Sequence, residues 1–496
     1  MMPAMQKMLA FDLGAESGRG VLGTFDGSRL QLDVLHRFPN GPVRTLDTLH
    51  WDVLFLYQEM LVALRKAGAA HGAVDSIGVD SWGVDFGLLG RGDVLLGNPR
   101  HYRDPHTEGV MDSAFKHVSR TDIYKRTGLQ FMRFNTLFQL LAMQRDRSPL
   151  LESAETILLI SDLFHYFFTG EKAVEYTNAS TTQMLDPTTR SWAFDLVETF
   201  GLPQKMLGNL VAPGTVLGPL RSGIANEAGL RPMPVIAPAT HDTGSAVAAV
   251  PASGDSWAYI SSGTWSLMGV ELKAPCITDQ SLAYNFTNEG GVDGSTRFLK
   301  NIMGLWLVQE CRRAWERAGT TYDYNHLARV AVEAIPFRSL IDPDDSSFIL
   351  PADMPAAIAD YCRRTEQPAP AEPGAFVRCA LESLALKYRW VLECMEHMLG
   401  RSIKVIHVVG GGCQNQLLCQ LTADACNCSV LAGPVEATAI GNLLMQARGL
   451  GLVGSLSEAR EIVRRSFGVI TYEPQRPESW AEPYARFRQL LANQPG

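Results

Sequence analysis

The chain has 496 residues, 46% of them hydrophobic and 19% charged, with a formal net charge of −8. That length exceeds what one hydrophobic core supports, since cores stop growing at roughly 250–300 residues, so two large domains are expected. The acidic balance argues against bulk binding of nucleic acid or an anionic membrane, and no apolar run approaches the ~20 residues of a membrane span.

The first predicted element is a short apolar strand, Lys7–Asp12, which ends on a carboxylate. Its apolar stretch is too short for a signal peptide. The segment AESGR at 15–19 turns the chain into a second strand, GVLGTFDG, so the pair reads as a hairpin. Backbone N–H groups in such a turn can approach phosphate oxygens, because Gly14 and Gly18 present no side chain. Asp12 could then hold hydrated magnesium, Ser17 could donate a hydrogen bond and Arg19 could add charge; a plain turn is the alternative. GRGVLG at 18–23 matches GxGxxG, but it lies in the outgoing strand and opens no helix, so it is not a dinucleotide site.

Asp52 is a predicted N-cap for a helix with an apolar stripe of Val53, Leu54, Leu56, Tyr57, Met60, Leu61 and Leu64. The strand SIGVD follows at 76–80. Asp80, Trp82 and Asp85 come next, as acids for a sugar or metal or as buried structural acids. Further on, VIAPA runs into His241, Asp242 and Thr243. Asp242 thus stands at a strand's C-terminal end, where α/β proteins usually place ligands. A carboxylate there can take a proton from a hydroxyl; an N-cap is the competing reading.

A second hairpin follows: Trp257–Ser261, the turn SGT, then WSLMGVEL. Ser262, Gly263 and Thr264 offer a second phosphate-side turn. Phe376 to Leu399 reads as a helix with Leu381, Leu384, Tyr388, Val391, Met395 and Met398 on one face. The strand VIHVV at 405–409, three glycines, a helix from Asn415, the strand SVLA and a helix from Glu436 complete the pattern. The glycines would let a flat adenine or ribose lie on the backbone; tight strand–helix packing is the alternative. Each half therefore reads as a sheet begun by a hairpin and completed by helix-crossover parallel strands. The boundary is expected near 240–256, giving domains 1–245 and 246–496.

The nine cysteines form no CxxC pair and read as reduced thiols of a cytoplasmic protein. There is no GxxxxGK[ST], no HExxH and no GxSxG around Ser81.

Taken in order, DLGAESGR, VDSWGVDFGLL, TGLQFMRFNTLFQL, TGEKAVEYTNASTTQ, THDTGSAV, AYISSGTWSLMG, TNEGGVDG, FLKNIMGLWLVQE and HVVGGGCQNQLLCQLTADAC with AGPVEATAIGN resemble the FGGY carbohydrate kinase family over nearly the whole chain. The resemblance implies an α/β fold of two actin/hexokinase-like (ribonuclease-H-like) domains with mixed sheets and an interdomain cleft. It implies phosphoryl transfer from ATP, with Mg2+, to a hydroxyl of a ketose, L-rhamnulose being expected. A kinase for another ketose or polyol such as L-fuculose is one alternative, and a non-catalytic nucleotide-binding protein of the same fold is another; the presence of Asp242 favours an enzyme. The resemblance also implies residue roles. Ala15, Glu16, Ser17, Gly18 and Arg19 would form the first phosphate turn, with Asp12 at the magnesium. Gly83 would line the sugar pocket. His241, Asp242 and Thr243 would contact the sugar, with Asp242 as proton acceptor. Thr264 would sit by the ATP phosphates, Asn301 and Gln309 would contact sugar or ATP, and Gly411 would support the nucleotide. The partners implied are the sugar and ATP, with no nucleic acid or membrane, and the oligomeric state is open between monomer and homodimer. The chain departs from the family pattern at His106, where Arg is expected, at Arg133, where Pro is expected, and at Thr240, where Ser is usual. Arg133 reads as solvent-facing or as an extra donor near the sugar.

Overall fold

The computed structural model describes residues 5–492; the first four residues of the N-terminal segment read above, and the last four of the chain, lie outside that range. The chain forms two compact units that are not two contiguous halves. The first comprises Met1–Pro251, Glu271–Leu299 and Ala437–Phe467; the second comprises Ala252–Val270, Lys300–Glu436 and Gly468–Gly496.

The first unit is built on a six-stranded mixed sheet, in the order Thr215–Pro219, Pro234–Ala237, Ser76–Ser81, Gln6–Leu13, Ser17–Phe25 and Leu30–Pro39. The last three strands form an antiparallel meander, and Ser76–Ser81 and Pro234–Ala237 add in parallel with Gln6–Leu13. The predicted hairpin turn is shorter than expected. Ser17, Gly18 and Arg19 already belong to the second strand, because a third strand pairs with it and sets Gly18 opposite Phe38. The glycines of the GxGxxG match serve packing: a Cβ on Gly18, Gly20 or Gly23 would strike Phe38, Ala63 or Leu443.

The helix Val53–His71 starts as predicted, with Asp52 Oδ1 accepting the Phe55 N–H at 3.0 Å. Val53, Leu56, Met60 and Leu64 are buried, but Leu54 lies on the exposed face, one residue and hence about 100° around the helix from Val53. The helix Ala437–Gly449 belongs to the first unit despite its late position. Leu443 packs on Gly23, Gly441 meets Ser245, and Asn442 and Gln446 bond into the strands at Gly78 and Leu9. These buried contacts make the unit discontinuous in sequence.

In the second unit, Trp257–Ser262 pairs antiparallel with Trp265–Leu272 and parallel with Val405–Val409, which pairs parallel with Ser429–Ala432. The strand Ile470–Tyr472 closes the edge antiparallel. The long predicted helix runs Pro373–Leu399; Pro373 occupies its first turn, where a missing N–H costs nothing. All nine cysteines are free thiols. Among the described residues, no helix is long and apolar enough to cross a membrane.

Beneath the first sheet, on the helix Ile160–Thr169, His165 Nε2 accepts the Val79 N–H at 3.0 Å. Burial pulls its pKa down to about 3. The stability tied to this neutral imidazole is present above the unfolded value of about 6.5 and is lost as pH falls toward the folded one. His165→Gln retains an acceptor for Val79. Between pH 7 and pH 5 it should lose about 2 kcal/mol less stability than the wild type. Urea unfolding at both pH values measures this, and parallel losses in the two proteins would refute it.

Candidate active site

The strand Pro234–Ala237 delivers Thr240, His241 and Asp242 to a turn that is tied down on every side. The buried Glu175 carboxylate accepts from Thr240 N at 2.9 Å and Thr240 Oγ1 at 2.8 Å. The same carboxylate caps the short helix Tyr176–Ala179 through the Thr177 and Asn178 N–H groups. Thr240 O receives Ser81 N at 2.9 Å and Ser161 Oγ at 3.0 Å, and His241 N donates to Thr177 Oγ1 at 3.2 Å. Thr in place of the usual Ser keeps the hydroxyl that Glu175 uses.

His241, not Asp242, is the N-cap of the helix Asp242–Ala248, and it forms no side-chain capping bond. Asp242 is the first helical residue. Its Oδ1 accepts from Thr243 N at 2.5 Å and from Thr243 Oγ1 at 3.1 Å, with His241 Nε2 3.5 Å away. Burial pushes the Asp242 carboxyl up; His241 opposes that shift and Asp12 adds to it. Although flanking atoms desolvate it, 32% of the side-chain surface stays accessible, so the group is shielded without being sealed. Thr243 is buried. His241 Nδ1 lies 3.0 Å from Arg297 Nη2 and 3.3 Å from Glu289 Oε2, and Arg297 Nη1 lies 3.1 Å from the same carboxylate oxygen. Arg297 also donates through Nε to Gly290 O at 2.8 Å. Glu175, Glu289 and Arg297 were not predicted as site residues. A carboxylate just before Tyr-Thr-Asn is a capping signal for Glu175, but nothing in local spacing links Arg297 to a histidine 56 residues away.

Across the central strands, Asp12 Oδ2 receives Arg19 Nε at 2.9 Å and Nη2 at 2.7 Å. The residues between them form a turn in which Gly14 N donates to Ser17 O at 3.0 Å and Asn40 Nδ2 donates to Gly14 O at 2.7 Å. Ala15 and Glu16 are half-buried there, Ser17 is exposed, and Gly18 is buried beneath Phe38. Asp80 stands beside Asp12 in parallel register and is fully buried. Burial, reinforced by the charges of Asp12 and Asp242, pushes its carboxyl well above the usual range. Among the described residues, no three His, Cys, Asp or Glu side chains are close enough to ligate a metal directly.

Asp85 resolves to the structural alternative. Its carboxylate accepts from Trp51 Nε1 at 2.6 Å, Trp82 Nε1 at 3.0 Å, Tyr102 N at 3.2 Å and Gln139 Nε2 at 2.9 Å. Burial outweighs these donors and lifts its pKa to about 7. Gly83 is required by close approach, since a Cβ there would lie 2.9 Å from Thr181, whose Oγ1 already accepts from Val84 N and donates to Asn178 O. His106 is nearly buried and bonds Asp104 at 3.0 Å. Arg133 is half-buried: its side chain is 24% exposed and Nη1 lies 3.1 Å from Oε1 of the exposed Glu108.

The second unit places Thr264, Gln309 and Gly411 at one end of its sheet, because Trp257–Ser262 and Val405–Val409 run parallel with Ser261 beside Val409. Thr264 O accepts from Gly304 N at 3.1 Å and Trp306 N at 3.2 Å, which docks the turn on the start of the helix Trp306–Arg317. Gln309 lies in that helix, and its Oε1 is buried without a hydrogen-bond partner among the described residues. Asn301 is half-buried on the strand Thr296–Met303. Of the three glycines after Val409, Gly412 packs on Ser262 Oγ, while a Cβ on Gly411 would meet nothing within 4 Å. The packing reading therefore holds for Gly412, while Gly411 faces open space.

The profile of the FGGY family of carbohydrate kinases matches residues 7–249 with its N-terminal domain and residues 258–450 with its C-terminal domain. The chain is 46% identical over 486 residues to a rhamnulokinase of Bacteroides thetaiotaomicron, covering 98% of this chain and 99% of that one. It is 42% identical to a rhamnulokinase of Halalkalibacterium halodurans, covering 94% and 99%. Among solved structures, ligand-bound xylulose kinase from Lactobacillus acidophilus superposes with a TM-score of 0.80 at 15% identity, covering 98% and 97%. Plasmodium falciparum glycerol kinase with ADP superposes at 0.75 and 15% identity, covering 98% of each chain. The fold is the two-domain, mixed-sheet α/β architecture of the actin/hexokinase type.

Proposed function

Because this chain belongs to the FGGY family of carbohydrate kinases, we propose that it transfers the γ-phosphoryl group of ATP to O1 of L-rhamnulose, giving L-rhamnulose 1-phosphate and ADP. The observation that carries the reading is the Asp242 turn. A carboxylate with raised proton affinity is held at a strand end by five hydrogen bonds to the flanking Thr240 and His241 backbone and side chain. The full-length similarity to rhamnulokinases supports the choice of sugar.

In this reading Asp242 accepts the O1 proton as O1 attacks the γ-phosphorus, and the bond from that phosphorus to the bridging oxygen breaks to release ADP. His241, oriented by Arg297 and Glu289, contacts the sugar with Thr243, Gly83 and Asn301. Ala15, Glu16, Ser17, Gly18 and Arg19 are the proposed phosphate contacts, and Thr264, Gln309 and Gly411 the proposed nucleotide contacts. The open face of Gly411 suits a flat base or ribose. Arg19 takes Oδ2 of Asp12, and among the described residues Asp80 Oδ1 is a buried acceptor without a donor, so the carboxylates fit a hydrated magnesium ion, which prefers oxygen and keeps several waters. Asp12 would hold it, and when bound it offsets charge on the phosphoryl oxygens. The free thiols fit a reducing cytoplasm.

The test is a competition assay across L-rhamnulose, L-fuculose, D-xylulose and glycerol. L-rhamnulose should show the highest kcat/KM. Glycerol should fall about 10⁴-fold below it, because a site built for sugar hydroxyls is left with unpaired groups. Discrimination among ketoses should be smaller. A tenfold advantage for another ketose would overturn the substrate and leave the kinase class standing.

A further inference from the structure

Asp80 is fully buried on the strand Ser76–Ser81, and its two oxygens are treated differently. Oδ2 receives Asn442 Nδ2 at 2.6 Å, whereas Oδ1 has no hydrogen-bond partner among the described residues. Asn442 is itself held. Its second N–H points to Gly78 O at 3.3 Å, and its Oδ1 receives Gln446 Nε2 at 2.7 Å. Gln446 in turn donates to Leu9 O at 3.1 Å, and its Oε1 receives Ser76 Oγ at 2.7 Å. Both amides thus have their donors and acceptors matched, and neither can flip without breaking bonds at both ends. The relay also fills its space: a Cβ on Gly78 would come within 2.8 Å of Asn442 Oδ1 and 3.0 Å of Gln446 Nε2.

A buried polar network that is satisfied everywhere except at one atom is costly unless something completes it. That atom belongs to a carboxylate standing in register with Asp12. A missing partner that donates a hydrogen bond and brings positive charge answers both features. Among the described residues no three His, Cys, Asp or Glu side chains gather to ligate a metal, so a cation here would keep several waters, and one of them can be the donor.

Resting on the kinase reading above, we propose that Asp80 is a positioning carboxylate of the cation site. Its Oδ1 accepts a hydrogen bond from a water of the hydrated divalent cation that accompanies the nucleotide, and Ser76, Gln446 and Asn442 hold it in place.

Mn2+ binding in the presence of ADP, read from the electron paramagnetic resonance signal of free Mn2+, tests this without sugar or turnover. Asp80→Asn should weaken Mn2+ binding about tenfold, the lower end of what losing such an outer partner costs. Metal-free ADP binding should change less than twofold, and the cooperative melt should survive. Asn442→Ala, which leaves Asp80 in place but unheld, should weaken Mn2+ by a smaller factor of about three. It decides the matter should Asp80→Asn not fold. Wild-type Mn2+ affinity in a folded Asp80→Asn protein, or in Asn442→Ala if that is the folded variant, would overturn the proposal. So would equal losses of Mn2+ and metal-free ADP binding. Failure of the substrate reading is separate: a chain that binds Mn2+ and ADP as stated but phosphorylates no ketose would sink that reading alone.

Discussion

Asp242→Asn is expected to lower kcat by about 10²–10⁴ while leaving sugar affinity largely intact, the range for loss of a general base. The substitution is nearly isosteric. Asn keeps an Oδ1 that can accept from Thr243 N and Oγ1, which now bond at 2.5 and 3.1 Å. The Thr240–His241 turn is anchored by Glu175, Ser81 and Ser161 and does not depend on Asp242. The scaffold should therefore survive and only the basic oxygen should be lost. The partition between kcat and KM is informative, because an interaction made only in the transition state lowers kcat without raising KM. Steady-state kinetics with L-rhamnulose and ATP, plus calorimetric sugar binding, supply both numbers. Turnover within a few-fold of the wild type would remove Asp242 as the base.

Gly441→Ala should destabilise the protein by about 3 kcal/mol, the upper end for overpacking a buried position. A Cβ on Gly441 would lie 1.8 Å from Ser245 O and 2.9 Å from Ser245 Cα. Those are backbone atoms of the helix Asp242–Ala248, so no side-chain rotation relieves the clash. The two helices must separate, and the helix displaced is the one that begins with Asp242. Activity should fall with stability, through misplacement of the carboxylate. Gly411→Ala is the contrast. With nothing within 4 Å of the added methyl, its stability should stay within about 0.5 kcal/mol of the wild type. Under the nucleotide reading it should raise KM for ATP. Urea unfolding of both variants measures the difference. A Gly441→Ala protein as stable as the wild type would show that the helix packing is looser than described.

Much of this protein was legible in the sequence because the signals are local. The Asp52 cap, the two hairpins, the parallel strands before Asp80 and after the helix Pro373–Leu399, and the strand ends that carry Asp12, Asp242, Thr264 and Gly411 each follow from spacing and turn chemistry within about ten residues. The same logic overextended the first turn to Arg19 and put Leu54 on the buried stripe, since local pattern does not report a third strand or the helix rotation against it.

Tertiary structure alone decided three things. It separated Asp80 from Asp85: two acids five residues apart look equivalent in sequence, but Asp85 is surrounded by donors from Trp51, Trp82, Tyr102 and Gln139, and Asp80 keeps an oxygen with no partner among the described residues. It brought Glu289 and Arg297 to His241, and Glu175 to Thr240. It placed the helix Ala437–Gly449 with the first unit, against strands more than 350 residues earlier in the chain. The physical reason is common to all three. Hydrophobic period and turn chemistry act between neighbours, whereas the worth of a buried charge depends on which distant donors the fold brings to it, and no spacing in the sequence records them.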